Sequence, residues 1–265
     1  MGGILVFTLQ DVVIKSINGG YAVSQIVFVR CLVAIPLLLI VTHFEGGLRT
    51  LWSRQIGLNV LRGGIMFVAY TTYYLALAAL PLAETVALGM SSPLFITALS
   101  FPLLGERVGW QRSLAVLIGF AGVLTITRPG LGTFDPAALF ALTCALCYGL
   151  AQMLARKLGS SDSSSVISVY ASVTYAVLAG SLGLLLGSGQ YAGTGYTSVE
   201  FVLRPWVWPP LHDLLLMGLT GAVAALGTYL LAQAYRIAEP GVVAPFEFTG
   251  IIWAVLLGYL VWNEV

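Results

Sequence analysis

The chain has 265 residues, of which 58% are hydrophobic and 9% are charged, with a formal net charge of +1 at pH 7. Soluble domains carry roughly 25% charged residues, so the composition excludes a soluble protein and predicts that lipid covers most of the surface. The balanced charge does not point to nucleic acid as a partner, and the three cysteines lie in apolar runs that do not suggest a disulfide framework.

Apolar runs of about the length that spans a membrane recur along the whole chain. Nine are predicted as membrane-spanning helices, at 2–18, 22–42, 57–79, 82–103, 112–127, 135–156, 165–187, 211–235 and 240–261. Most connectors are short; the long one, at 187–210, contains Trp206 and Trp208, which are typical of an interfacial aromatic belt. The sequence therefore predicts an all-α polytopic membrane protein without a soluble domain.

The distribution of arginine and lysine among the connectors predicts the orientation of the spans. If residues 43–56 face the cytoplasm, eight basic residues lie on or near the inner side and three lie on the outer side. This asymmetry fits the positive-inside rule. The first span then begins inside, so we expect a cytoplasmic N-terminus in a bacterial-type inner membrane.

An internal repeat relates the two halves of the chain. Residues 61–84 align with residues 216–239 at a constant offset, and Tyr74 matches Tyr229 in this alignment. Nearer the starts of the halves, Gln10 aligns with Gln152.

The repeat predicts two domains of five spans each, at 1–130 and 131–265, with the tenth span missing from the sequence. Because five is odd, the second half enters the membrane from the opposite side. Such inverted repeats are typical of secondary transporters, which bind substrate near the midplane and work by alternating access.

Four ionisable residues are predicted at membrane depth, where charged groups are costly and usually face a wet cavity or a partner. Asp11 and Arg30 lie at similar depth, and Lys15 follows Asp11 by one helical turn. Asp11 either makes a structural pair with Lys15 or Arg30, or acts with Arg30 by presenting opposite charges to a zwitterionic substrate or exchanging a proton, or is protonated and inert. Lys15 fits snorkelling to the interface. Glu247 is a coupling or substrate-binding carboxylate, a cap for local backbone donors, or a partner for a group on another span.

Polar and aromatic residues complete the candidate cavity wall. These candidates are Tyr70, Tyr73, Tyr74, Gln152, Tyr229, Gln233 and Trp253. Aromatic surface with a few convergent polar groups suits a small-molecule site, although ordinary helix packing explains the same residues. Pro93 and Pro245 occupy corresponding positions in the two halves, and paired interruptions predict the moving, substrate-binding helices.

Three segments resemble the EamA-domain branch of the drug/metabolite transporter superfamily: 75–95, 103–130 and 242–265. FVRC at 28–31 and QDVVIK at 10–15 resemble the subgroup that contains S-adenosylmethionine and riboflavin carriers. The resemblance implies ten helices in two inverted five-helix repeats around a central cavity, and transport of amino acids, nucleotide-like compounds or vitamins.

The expected function is therefore a secondary transporter that moves a small polar or zwitterionic metabolite, either amino-acid-like or nucleoside- or vitamin-like. The alternatives are a multidrug or amine exporter of the same fold, or a membrane protein without solute transport, either a scramblase or a structural protein. The expected partners are the substrate and the lipid bilayer, with the protein a monomer or a homodimer. No cofactor or metal is predicted, and proton coupling is left open.

An enzyme is not predicted. The only histidines, His43 and His212, lie in connectors on opposite sides, and the sequence has no H-E-x-x-H or G-x-S-x-G motif. Cys144 and Cys147 form a C-x-x-C pair on an apolar span without a second ligand pair, so they are interpreted as small hydrophobic residues.

Overall fold

The computed structural model describes most of the chain. The described residues are 2–17, 20–96, 110, 114, 117–118, 121–122, 125, 135–159, 161–193, 195–237 and 249–263. The predicted fifth span and the start of the predicted ninth span lie largely outside these residues.

The described residues form helices joined by turns and irregular connectors, and the helices follow the predicted spans closely. They are α1 Gly2–Ile17, α2 Val23–Gly46, α3 Ile56–Ala79, α4 Leu82–Gly89, α5 Ala137–Leu158, α6 Ser164–Leu186, α7 Thr197–Leu203, α8 Leu211–Ile237 and α9 Thr249–Trp262, with a 3₁₀ turn at Leu48–Leu51. Within the described part, five helices are long and apolar enough to cross a membrane: α2, α3, α5, α6 and α8. The predicted polytopic all-α fold is confirmed.

Local sequence signals set the helix ends. Proline precedes the first residue of α4 (Pro81) and of α5 (Pro136), where its missing N–H costs no helical hydrogen bond. The hydroxyl of Ser163 accepts from the backbone N–H of Val166 and caps α6. Gly47, at φ +82°, ends α2 with a backbone conformation that other residues rarely adopt.

The fourth span is broken. Helix α4 ends at Gly89, a turn follows at residues 90–91, and helical backbone resumes over residues 92–96. Pro93 lies just after the break and has no N–H to donate to the carbonyl of Gly89, four residues earlier. A break in the helical backbone therefore lies beside Pro93.

The helices pack in matched sets. α3 packs against α5 and α6, and α8 packs against α1 and α2. Likewise, α4 packs against α5, and α9 packs against α1. These contacts match when the helices of the two halves are compared in order, α1 with α5, α2 with α6, α3 with α8 and α4 with α9. Each contact named for α3 and α4 then has its counterpart in a contact of α8 and α9.

The outer surface is strongly apolar. Leu184 and Phe44 are 91% and 83% exposed, respectively. Such surface suits lipid contact. Because lipid is as apolar as these side chains, close packing and hydrogen bonds between helices, rather than burial alone, hold the bundle together.

Two ends of the bundle can be distinguished. We call the end that carries residues 187–210 the connector end. There the hydroxyl of Tyr21 donates to Asp213, and this hydrogen bond raises the pKa of Tyr21. The other end carries the turn at Leu48–Leu51 and the loop between α5 and α6. We call it the opposite end.

Candidate functional site

A cavity of about 170 Å³ lies within the bundle, between α1, α3, α4 and α5. Leu231 of α8 and Gly250 of α9 complete its wall. The polar and tyrosine side chains on the wall are Thr8, Gln10, Asp11, Tyr70, Tyr73, Ser92 and Tyr148. The remaining lining is mostly apolar. This is the composition of a small-molecule site, in which apolar and aromatic surface surrounds a few convergent polar groups.

Asp11 places a carboxylate on the cavity wall. The hydroxyl of Tyr73 donates a 2.8 Å hydrogen bond to Asp11 Oδ2. The second oxygen, Oδ1, has no hydrogen-bond donor among the described residues. A carboxylate at membrane depth is costly unless it is satisfied, so Oδ1 is a natural acceptor for a donor group on a bound molecule.

Arg30 lies behind the cavity wall. It is 3% exposed and does not line the cavity. Its Nη1 donates a 2.7 Å hydrogen bond to the hydroxyl of Tyr74. Its guanidinium carbon lies 5.4, 5.9 and 6.0 Å from the ring centroids of Tyr70, Tyr74 and Tyr175, respectively. The cation is therefore surrounded by aromatic faces, which attract it electrostatically.

Asp11 and Arg30 do not form the direct pair that the sequence had left open. Asp11 is held by Tyr73, whereas Arg30 is held by Tyr74. The two tyrosine rings contact each other edge to face, with centroids 5.8 Å apart. The adjacent tyrosines of α3 thus stand between the two charges.

Gln10 belongs to the same network. Its Nε2 lies 3.1 Å from the hydroxyl of Tyr74, and its Oε1 is buried without a donor among the described residues. Arg30 has only donors, so Tyr74 accepts from Arg30 and keeps its own proton available. Rotating the Gln10 amide by half a turn would let Tyr74 donate that proton to Oε1.

The break in the fourth span reaches the cavity. Gly89, Met90 and Ser92 all line the wall. Because Pro93 has no N–H, the carbonyl of Gly89, a wall residue, lacks its usual helical partner four residues later. Irregular backbone at membrane depth is tolerated where it is buried in protein or lines a wet cavity.

Tyr229 and Gln233 do not line the cavity, contrary to the sequence prediction. The hydroxyl of Tyr229 donates a 2.6 Å hydrogen bond to Glu45 at the end of α2. The side chain of Gln233 accepts a 3.1 Å hydrogen bond from Ser164 at the start of α6. Both residues lie near the opposite end, because α8 runs from the connector end towards it.

The remaining predicted site residues differ in where they lie relative to the cavity. Gln152 and Trp253 are half-buried on α5 and α9, and neither lines the cavity. Pro93 is half-buried beside Ser92, which does line it. Glu247 and Pro245 lie outside the described residues.

Phe7, Cys144 and Tyr148 are among the wall residues that sequence reasoning missed. Cys144 was interpreted only as a small hydrophobic residue. A signal was available, because Cys144 and Tyr148 are four residues apart and share one helix face, and a tyrosine in the middle of a span is a polar group that needs a partner or water. Phe7 gave no such signal.

The described residues contain no cluster of three or more His, Cys, Asp or Glu side chains that could hold a metal. Cys31, Cys144 and Cys147 are free thiols.

Comparisons with known proteins find transporters among the relatives of this chain. Residues 1–128 match the EamA-like transporter family. The riboflavin transporter of Vibrio cholerae is 31% identical over 94% of this chain and 78% of its own length. The S-adenosylmethionine uptake transporter of Rickettsia bellii is 23% identical over 96% of this chain and 81% of its own length.

A solved crystal structure has the same fold. It superposes with a TM-score of 0.66 over 97% of this chain and 85% of that chain, at 18% sequence identity. This likeness concerns the arrangement of the helices alone.

Proposed function

The chain belongs to the EamA-like transporter family, and from this premise we propose how its cavity selects and moves a substrate. It is a multi-pass membrane transporter of small metabolites. We propose that the substrate is nucleoside- or vitamin-like, with a flat ring system and at least one donor or cationic group. The observation that carries this proposal is a cavity with tyrosine rings on its wall and a carboxylate oxygen open to a ligand.

Asp11 supplies the polar recognition. Its Oδ2 is occupied by Tyr73, which fixes the carboxylate, and its Oδ1 accepts from the substrate. Hydrogen bonds to charged groups contribute about 1.5–3 kcal/mol. Tyr70, Tyr73 and Tyr148 offer ring surface for stacking or edge contact with a planar group.

Two inverted repeats, 1–130 and 131–265, carry the transport cycle in this proposal. The matched packing of the helices supports it. So does the direction of α1 and α5: Lys15 near the end of α1 donates to the carbonyl of Leu80, and Leu80 packs in one cluster with Ala137 at the start of α5. The repeat partners α1 and α5 therefore run in opposite directions.

The proposed mechanism is alternating access in a bacterial-type inner membrane, with the N-terminus and the opposite end in the cytoplasm. The halves rock about the central cavity, so that substrate meets each side in turn. The broken fourth span, which brings Gly89 and Ser92 to the cavity, is the element best placed to move.

Uptake into proteoliposomes tests this function. Purified protein is reconstituted, and accumulation of labelled S-adenosylmethionine and of riboflavin is measured against empty vesicles. Asp11→Asn should slow entry of the cationic S-adenosylmethionine by about tenfold or more, since 1.4 kcal/mol is a factor of ten, and should affect neutral riboflavin less.

The matched control is Asp135→Asn. Asp135 Oδ1 accepts from the backbone N–H of Ala137 at the start of α5, and asparagine caps helices equally well. Absence of uptake of both compounds, with the protein folded, would overturn the proposed substrate class.

An organic amine is the second candidate, because a carboxylate beside aromatic rings also suits a cation. Ethidium is therefore included as a third probe. Transport of ethidium alone, sensitive to Asp11→Asn, would favour an amine exporter over a metabolite carrier.

A further inference from the structure

A second, smaller cavity of about 10 Å³ lies next to the main one. Its wall includes Arg30, Cys31, Ser172, Tyr175 and Thr228. Phe7 and Tyr70 line both cavities. These two aromatic side chains are therefore the partition between the main cavity and the space around Arg30, which we call the arginine chamber.

We propose that the arginine chamber is a binding subsite for the carboxylate of the transported molecule, and that Phe7 and Tyr70 form the gate between it and the main cavity. This inference rests on the proposed transport function and identifies a second recognition point for its substrate.

Arg30 carries the first part of the argument. Of its five N–H donors, one is used by the hydroxyl of Tyr74 and another faces the thiol of Cys31, and no carboxylate of the described residues is paired with it. Burying an arginine without an anion is costly, and aromatic faces offset only part of that cost. A substrate anion that enters during transport would supply the missing partner.

The chamber offers a second donor. Ser172 is 8% exposed, lines the chamber, and its hydroxyl has no hydrogen-bond partner within the described part of the chain. A planar guanidinium fork with a neighbouring hydroxyl suits a carboxylate. At about 10 Å³ the chamber has room for about one water molecule, so a carboxylate enters only if the partition moves.

Phe7 is placed to move. Its ring rests on the backbone of α8 at Gly227, where a Cβ atom would lie 2.6 Å from ring atom Cζ. Phe7 belongs to α1, and Gly227 belongs to α8, in the other half of the chain. A shift of α8 against α1 therefore removes the surface that holds the ring, and couples opening of the chamber to the movement of the two halves.

The native cysteines allow a test that does not require transport. Cys31 lines the arginine chamber, Cys144 lines the main cavity, and Cys147 lines neither. Each thiol is kept alone by changing the other two to alanine. The rates of modification are measured with an anionic sulfonatoethyl and a cationic trimethylammonioethyl methanethiosulfonate.

Phe7→Ala should open the partition and raise the rate at Cys31 by about tenfold or more, since truncating a packed aromatic leaves a cavity. The rate at Cys144 should change by less than about twofold, because the partition does not shield that thiol. Val12→Ala, a truncation on the same helix at a residue that lines neither cavity, should change neither rate. An unchanged rate at Cys31 in Phe7→Ala would overturn the gate.

Charge selectivity tests the carboxylate subsite. In the Phe7→Ala protein, the anionic reagent should modify Cys31 faster than the cationic one, and acetate should slow the reaction while acetamide does not. Arg30→Gln should abolish both effects, and Arg30→Lys should keep the preference for the anion. Protection by acetamide equal to that by acetate, or an anion preference that survives Arg30→Gln, would overturn the proposal.

The two proposals fail separately. If the unchanged protein takes up none of the tested compounds but the Cys31 modification rates behave as expected, the proposed transport function is wrong and the anion subsite stands. If uptake occurs as proposed but Phe7→Ala leaves the Cys31 rate unchanged, the transport function stands and the gate is wrong.

Discussion

The two ends of the helix bundle are closed by different means. At the connector end, the indole of Trp206 packs against Gly183 and lies 5.5 Å from the ring of Phe28, and its Nε1 donates to Ser24. The side-chain amide of Gln25 pairs with both backbone groups of Val207. The long connector is thus interlocked with the ends of α2 and α6.

The opposite end is held mainly by polar ties. Asp162, in the loop between α5 and α6, accepts hydrogen bonds of 2.7 Å each from Ser53 and Asn59. The hydroxyl of Tyr229 donates to Glu45, and this hydrogen bond is exposed to solvent.

This difference bears on which end opens at lower cost. At the opposite end, the exposed hydrogen bond from Tyr229 to Glu45 can be exchanged for one to water at a small net cost, and the buried hydrogen bonds to Asp162 contribute about 2 kcal/mol. Withdrawing the packed indole at the connector end forfeits many contacts at once. We infer that the opposite end opens more easily than the connector end, and that the cavity is reached from that side first.

The largest expected effect comes from the connector end. Trp206→Ala should lower the free energy of unfolding by about 3 kcal/mol, the low end for truncating a large aromatic, because the indole is only half-buried. Unfolding with sodium dodecyl sulfate in mixed micelles measures this loss.

Trp208→Ala is the matched control. Trp208 lies two residues away and is 92% exposed, so its removal should change stability by no more than about 0.5 kcal/mol. Equal losses for the two variants would mean that the indole of Trp206 does not interlock the connector, and the contrast between the ends would disappear.

An intermediate effect is expected at the opposite end. Ser53 and Asn59 both donate to Asp162 Oδ2, so Asp162→Asn keeps an oxygen that accepts both bonds but removes the negative charge, and should cost about 2 kcal/mol because each bond loses its charge assistance. It should also speed modification of Cys144, because the loop then ties α5 and α6 more weakly to the start of α3.

Ser161→Ala controls for a general effect on this loop, since the Ser161 hydroxyl donates only to the nearby carbonyl of Leu158. If Asp162→Asn lowers stability but leaves the rate at Cys144 unchanged, the polar ties stabilise the fold without controlling access.

Much of the fold was predictable because a membrane imposes a simple length rule. Apolar runs of about 20 residues predicted α2, α3, α5, α6 and α8 to within a few residues at most ends. The short helix α7 was missed, since its seven residues depend on tertiary contacts: Ser198 donates to the carbonyl of Leu75, and Phe201 is fully buried. Trp206 was expected in an interfacial belt, but it packs into the bundle.

The candidate site was only partly predictable. Asp11 and Tyr73 stood out because charge and polarity are expensive in lipid, and the structure brings them together on the cavity wall. Tyr229 shares the repeat position of Tyr74, yet it ties α8 to α2 at the opposite end. Repeat symmetry predicts which positions correspond in the two halves. It does not predict the hydrogen-bond partner at each position, because the neighbouring side chains differ: Tyr74 meets Arg30, whereas Tyr229 meets Glu45.

The smallest expected effect concerns Tyr229 itself. Tyr229→Phe removes one hydroxyl and keeps the ring, so it should cost less than about 1 kcal/mol, the range for a single hydrogen bond near solvent. Tyr259→Phe, at a residue that is 57% exposed on α9, supplies the matched baseline.

The kinetic consequence of Tyr229→Phe should exceed its effect on stability. If the tie to Glu45 helps to hold the opposite end closed, its loss should speed modification of Cys144 while the melting temperature hardly changes, because this hydrogen bond stabilises the closed state relative to the open one. Glu45→Gln should act in the same direction but more weakly, since the amide oxygen still accepts from Tyr229. A slower reaction at Cys144 in Tyr229→Phe would mean that this bond holds the end open, and would reverse the order in which the two ends admit substrate.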